Sequence, residues 1–183
     1  MEKTLSSERV FEGKLLKVDR LRVELDNGMV ATREIVRFPE VVVVIAFRDN
    51  GDCLLVKQFR KPIESVLLEA VAGKVDLGES PEMAARRELK EETGYDVKRI
   101  EKIGMTYPTP GYSTEVQHYF GVIVDDNPSR KSCDDDELVD PVWMSGDDCD
   151  KMFGIGSPMD GKLVTALWFL HLTQFLKGEC SDE

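Results

Sequence analysis

The segment EVVVVIAF (40–47) constrains this chain most. It is a near-continuous run of β-branched residues, which suits a strand buried on both faces. The segments around it also read as strands. VFEGKLLKVDRLRVEL, the turn DNG at 26–28 and MVATREIV form antiparallel strands, with Asn27-Gly28 as the hairpin signal. DNGD (49–52) turns the chain into CLLVKQF, and SVLLEAVAG (65–73) reads as one further strand ending at a glycine. VKRIEKIGMTY and VQHYFGVIV are strands, with PTPGYSTE (108–115) a loop between them, and ELVDPVWM holds another strand.

Two segments depart from the strand period. Over residues 80–93, Ser80 serves as N-cap, Pro81 fits the first helical position and Glu82 sits where the helix dipole favours it. Good helix formers follow up to Gly94, which reads as the stop. Asp160 then opens a final amphipathic helix, DGKLVTALWFLHLTQFLKG, with Leu163, Leu167 and Leu170 on its stripe. Strands mixed with two substantial helices give an α/β or α+β domain, and 183 residues suit a single one.

Charge narrows the function classes. A net charge of −11 argues against a general nucleic-acid or acidic-membrane surface, while a small anionic ligand stays open because a metal ion can invert the local field. Cys53, Cys133, Cys149 and Cys180 are scattered, with no CxxC pair and no neighbouring His, which argues against a zinc site or a disulfide scaffold and leads us to expect reduced thiols in the cytoplasm. MEKTLSSERV has no apolar core of a signal peptide, and no window nears the about 18 apolar residues of a membrane span.

In this acidic chain, RRELKEETGY (86–95) gathers Glu88, Glu91 and Glu92 on one helical face. A solvated face would explain them, with Arg87 and Glu91 as an ordinary surface pair. Glu88 and Glu92 fit that reading poorly. Like charges about 4 Å apart repel by about 4 kcal/mol at an effective dielectric near 20, and a divalent cation removes that repulsion.

Reading from Gly73, five residues lead to Glu79, seven more to Arg87-Glu88-Leu89, one to Glu91-Glu92 and one to Gly94. This resembles the Nudix box, G-x5-E-x7-R-E-U-x-E-E-x-G-U, with Tyr95 in place of the last aliphatic residue. The resemblance implies a Nudix α/β/α sandwich with a mixed sheet and a small N-terminal antiparallel β-segment. It implies Glu88 and Glu92 as ligands of Mg²⁺, with Mn²⁺ as a substitute. Glu91 would act in catalysis as a ligand or as a partner of one. Gly73, Glu79, Arg87 and Gly94 would brace the loop–helix unit.

The flanks resemble the ADP-ribose (ADP-sugar) pyrophosphatase branch. LLEAVAGKVDLGES is similar to LE-x-PAG-x-x-D-x-GE, with Val71 for Pro, and implies that the Ala72 carbonyl binds a metal. KQFR resembles RQYR, implying that Arg60 meets the substrate phosphates; a surface arginine at a strand end is the alternative. REIVRFPEVVVVIAF resembles REVVEHPGAVAVVA, which makes Arg33 a candidate for a substrate or dimer contact, or else half of an ion pair. YPTPGYSTE resembles a loop that walls the terminal ribose, where Glu115 contacts substrate or caps the loop. DDDELVDPVW resembles D-E-x-x-E-x-V-W, implying Glu137 as the general base, with Asp136 its open rival. Phe11 is a candidate for stacking on the base, or else a core residue.

The resemblance implies three parts: residues 1–38 as an N-terminal β-segment exchanged in a homodimer, 39–178 as the hydrolase domain and 179–183 as a tail. It implies hydrolysis of ADP-ribose to AMP and ribose 5-phosphate. The alternatives are GDP-mannose or another nucleoside diphosphate sugar, and a sensor that binds ADP-ribose without cleaving it. No nucleic-acid or membrane partner is expected.

Overall fold

The computed structural model describes residues 1–125, 128–129, 138–152 and 158–173. The chain divides into two compact units, one of residues 1–40 and 106–117, the other of residues 41–105 and 118–183.

The first unit holds a three-stranded antiparallel sheet of β1 (Lys3–Glu12), β2 (Lys17–Glu24) and β3 (Val30–Arg37). β2 and β3 pair without slippage from Lys17 opposite Arg37 to Glu24 opposite Val30. The run VFEGKLLKVDR is not one strand: Gly13 N–H bonds to Leu16 O (2.8 Å) and turns β1 back against β2. Asp19 is buried and accepts from Arg9 and, at 2.8 Å, from Arg37. The loop after Thr106 is tied to β3. Val36 N donates to Tyr112 O (2.8 Å), Thr114 N donates to Val36 O (3.0 Å), and the Thr114 hydroxyl bonds both polar backbone atoms of Phe38.

The second unit is built on a seven-stranded sheet of β4 (Val41–Phe47), β5 (Cys53–Arg60), β6 (Ser65–Glu69), β7 (Val71–Lys74), β8 (Val97–Thr106), β9 (Gln117–Val124) and β10 (Val139–Met144). Its main path runs β10-β5-β4-β9-β8; β6 pairs with β5 and β7 with β4. Every residue of β4 is buried. Alternation divides them between two faces. Val42, Val44 and Ala46 pack with Ala84, Ala85 and Leu89 of α1 (Pro81–Thr93). On the other face lies α3 (Gly161–Leu172), which buries Leu163, Ala166 and Leu170 and sets Phe169 against Tyr119 at 5.2 Å between ring centres. The result is the expected α/β/α sandwich.

Three further points differ from expectation. SVLLEAVAG is two strands broken at Ala70, because Ser65–Glu69 follows β5 while Val71–Lys74 crosses to β4. A short helix, α2 (Gly146–Met152), stands where none is expected; its GDDCDKM sequence lacks an apolar period. The final helix ends at Leu172, because Thr173 is extended (φ −95°, ψ 156°).

Tyr95 does more than pack. Its hydroxyl accepts from Arg48 Nη2 (2.9 Å) and Trp143 Nε1 (3.2 Å), joining the end of α1 to β10. Cys53 and Cys149 are buried and not joined in a disulfide. Among the described residues no helix is long and apolar enough to cross a membrane.

Candidate active site

Local chemistry fixes both ends of α1. The Ser80 side chain accepts from Met83 N (3.3 Å), and Pro81 needs no hydrogen-bond acceptor at the first position. Gly94 adopts a left-handed φ of +79° and donates to Lys90 O (2.9 Å). A Cβ there would also stand 2.2 Å from Ser129 O, so glycine is required twice over.

The helix crosses β7 at Gly73, which pairs with Val42. A Cβ on Gly73 would lie 1.9 Å from Glu88 Cδ, and 2.0 and 2.3 Å from its two oxygens. The Glu88 carboxylate therefore rests on the bare backbone of Gly73, one residue after Ala72. This cradle exists only because residue 73 has no side chain.

Arg87 holds the assembly together. Its five N–H donors make five bonds: Nε to Glu79 Oε1 (3.1 Å), Nη2 to Glu79 Oε2 (2.9 Å) and Lys74 O (2.9 Å), and Nη1 to Glu88 Oε1 (2.7 Å) and Glu91 Oε2 (3.0 Å). The hydrogen bond from Arg87 holds the Glu79 carboxyl below its ordinary range, against a smaller opposing effect of burial. Glu79 also accepts from Asp76 N (3.2 Å), so the loop after β7 is pinned to the helix. Helical spacing suggests the Arg87–Glu91 pair and the resemblance a brace of Arg87 with Glu79, while the contact with Glu88 is visible only in the structure. The contacts with Glu88 and Glu91 aim both at one positive centre.

Glu92, one turn beyond Glu88, is buried at 6 % exposure. The Arg60 guanidinium is held above its ordinary value chiefly by its hydrogen bonds to Glu69, with smaller contributions from the charges of Asp160 and Glu92. Glu69 Oε1 and Oε2 accept Arg60 Nε and Nη2, both at 2.6 Å. Lys162 Nζ reaches Glu69 Oε2 (3.3 Å) and Asp160 Oδ1 (2.8 Å). Burial pushes the Glu69 carboxyl up, but Arg60 and Lys162 together outweigh it and hold it below its ordinary value. Sequence reasoning misses Glu69, Asp160 and Lys162 as a group. The visible signal is one charge, Glu69, set in the apolar strand VLLEAV.

The second unit thus brings together Arg60, Ala72, Gly73, Glu79, Arg87, Glu88, Glu91 and Glu92. Three candidates lie in the first unit. Arg33 pairs with Glu2 (Nε 3.1 Å, Nη2 2.5 Å). Glu115 N donates to Ser113 Oγ (3.1 Å), and its carboxylate accepts from Gln117 Nε2 (2.7 Å). Phe11 is 55 % exposed, outside the core of its chain. Glu137 and its rival Asp136 lie outside the described residues.

The donor set is chemically uniform. Glu88, Glu91 and Glu92 offer hard carboxylate oxygens, a set that fits Mg²⁺ or Mn²⁺ rather than a soft metal. Among the described residues no three His, Cys, Asp or Glu side chains form a ready metal cage. Two of the carboxylates converge on Arg87 instead, within 3.0 Å of a single nitrogen.

The model of the NUDIX domain matches residues 37–162, and that of the nucleoside diphosphate sugar hydrolase N-terminal domain matches residues 2–36. The chain belongs to the Nudix family. This Nudix hydrolase is 38% identical over 183 residues to the ADP-ribose pyrophosphatase of Bacillus subtilis (strain 168), covering 97% of each chain. It is 36% identical to the methanol dehydrogenase activator of Bacillus methanolicus over 96% of each chain. It is 32% identical to the GDP-mannose pyrophosphatase of Yersinia enterocolitica, over 87% of this chain and 82% of that one. Among solved structures, one described as an ADP compounds hydrolase superposes with a TM-score of 0.85 at 24% identity, covering 98% of this chain and 97% of its own, which establishes the shared fold.

Proposed function

We propose that this Nudix hydrolase cleaves the diphosphate of a nucleoside diphosphate sugar, taking ADP-ribose and water to AMP and ribose 5-phosphate. One observation carries the chemistry: the Glu88 carboxylate seated over Gly73, with Glu91 beside it on Arg87 and Glu92 one turn along. Full-length similarity to a protein named ADP-ribose pyrophosphatase supports the substrate.

Glu88 and Glu92 would hold Mg²⁺, with Mn²⁺ as a substitute, and Glu91 and the Ala72 carbonyl would complete the set. The bound cation supplies charge neutralisation for the diphosphate and acidity to the attacking water. Arg60 binds phosphate oxygens with the N–H groups that Glu69 leaves unused, and so orients the diphosphate. Glu137 takes the proton of the attacking water as the new P–O bond forms and the P–O–P bridge opens. Phe11 is the candidate for stacking on the base, Glu115 for the terminal ribose and Arg33 for a substrate or dimer contact. A second copy of the chain covers β1, which is exposed along its whole length, and sedimentation should report a dimer.

Glu137→Gln should lower kcat by about 10²-fold while leaving the Mn²⁺ affinity of the protein unchanged. Turnover near wild type would remove Glu137 from the mechanism. A second reading changes only the sugar nucleotide, and the similarity to a GDP-mannose pyrophosphatase supports it. kcat/KM should be measured across ADP-ribose, ADP-glucose, GDP-mannose and related compounds with Mg²⁺. ADP-ribose should rank first; a higher value for GDP-mannose would select the second reading, and binding without cleavage would favour a sensor.

A further inference from the structure

A line of paired charges runs from the start of α3 through Glu69 to Arg60. Asp160 caps α3 by accepting from Leu163 N (3.0 Å), and its other oxygen accepts from Lys162 (2.8 Å). Lys162 reaches across to Glu69, whose side chain is 2 % exposed, and Glu69 grips Arg60 through two parallel bonds of 2.6 Å. Two bases and two acids make this line neutral, so it adds no net field to the site. Its effect is geometric.

A fork-to-fork pair fixes the plane of a guanidinium only if the carboxylate itself cannot turn. Arg60 spends two of its five N–H protons on Glu69. The other three lie on the side away from the fork, and the side chain is 40 % exposed. The fork of Arg60 holds Glu69 from one side only. Lys162 holds Oε2 from a second direction, and Asp160 in turn fixes Lys162.

We propose that Lys162 is a positioning residue for substrate binding: through Glu69 it sets the guanidinium plane of Arg60, so that the outer edge of Arg60 meets the phosphate oxygens. This rests on the reading of Arg60 as a phosphate contact. Lys162 and Glu69 are 93 residues apart in sequence, so the fold makes the link and no single motif spans it.

The test is a double-mutant cycle with Lys162→Met, Arg60→Met and the double variant, together with Lys162→Arg. Three quantities are read: kcat and KM with saturating Mg²⁺ on the best-cleaved nucleotide sugar, Kd of that compound in EDTA by calorimetry, and Tm. Lys162→Met should raise KM and Kd by about tenfold while kcat changes by less than about threefold, and Lys162→Arg should recover most of the loss. In the Arg60→Met background the Lys162 change should add less than about twofold, because the residue it acts through is gone. If Lys162→Met does not fold, Lys162→Gln takes its place in the cycle.

Wild-type KM and Kd in the Lys162 variant, with both raised in Arg60→Met, would overturn the positioning role alone. So would an equal loss in both backgrounds, or a fall in Tm with KM unchanged. Wild-type KM and Kd in Arg60→Met would overturn the reading of Arg60, and the proposal with it.

Discussion

Glu92→Gln is expected to lower kcat by about 10³-fold, or about 4 kcal/mol of barrier, while Tm stays near wild type. The two effects separate for a physical reason. Holding a charged carboxylate at 6 % exposure is costly to the fold, by several kcal/mol before compensation. Glutamine keeps the shape and removes the charge, so the fold loses little. What it loses is an anionic oxygen on the face that Glu88 begins. Circular-dichroism melting and steady-state kinetics on the same preparation read both quantities. A variant with kcat within about threefold of wild type would remove Glu92 from the ligand set.

Gly73→Ala is expected to damage stability and activity together. The added methyl would fall 1.9 Å from Glu88 Cδ, well inside contact distance, so either the carboxylate leaves its seat or β7 moves from β4. Overpacking of this kind costs about 1–3 kcal/mol. Displacing a ligand by about 1 Å costs about 10²-fold in kcat, and loss of the seat should cost more. The cause can be isolated. In a Glu88→Ala background the same methyl meets no carboxylate, so the Gly73→Ala penalty on Tm should largely vanish. An undiminished penalty there would assign the strain to the sheet instead.

What the sequence disclosed was local. Ser80, Pro81 and Gly94 mark the ends of α1 because capping acts within a turn of the residues concerned. The glutamate face was legible for the same reason, since helical spacing alone puts residues 88, 91 and 92 together. Arg87 was legible only in part. Its pair with Glu91 follows from the i,i+4 spacing and its brace with Glu79 from the resemblance to the box, but its reach to Glu88 depends on how the side chain lies across β7.

Non-local pairing was the barrier elsewhere. Nothing in SVLLEAVAG says that its halves pair with different strands, because the partners β5 and β4 lie outside the segment. Glu69 is visible as a misplaced charge, but nothing in the first turn of the final helix says that Lys162 reaches it. α2 carries no apolar period to read. Tyr95, at a position that elsewhere needs only bulk, bonds Arg48 and Trp143, 47 and 48 residues away.

The most direct measurement is product analysis of ADP-ribose incubated with the purified protein and Mg²⁺, with a parallel sample in EDTA. The account predicts AMP and ribose 5-phosphate in equal amounts in the first sample and intact ADP-ribose in the second. Intact ADP-ribose in both, or equal cleavage in both, would contradict it.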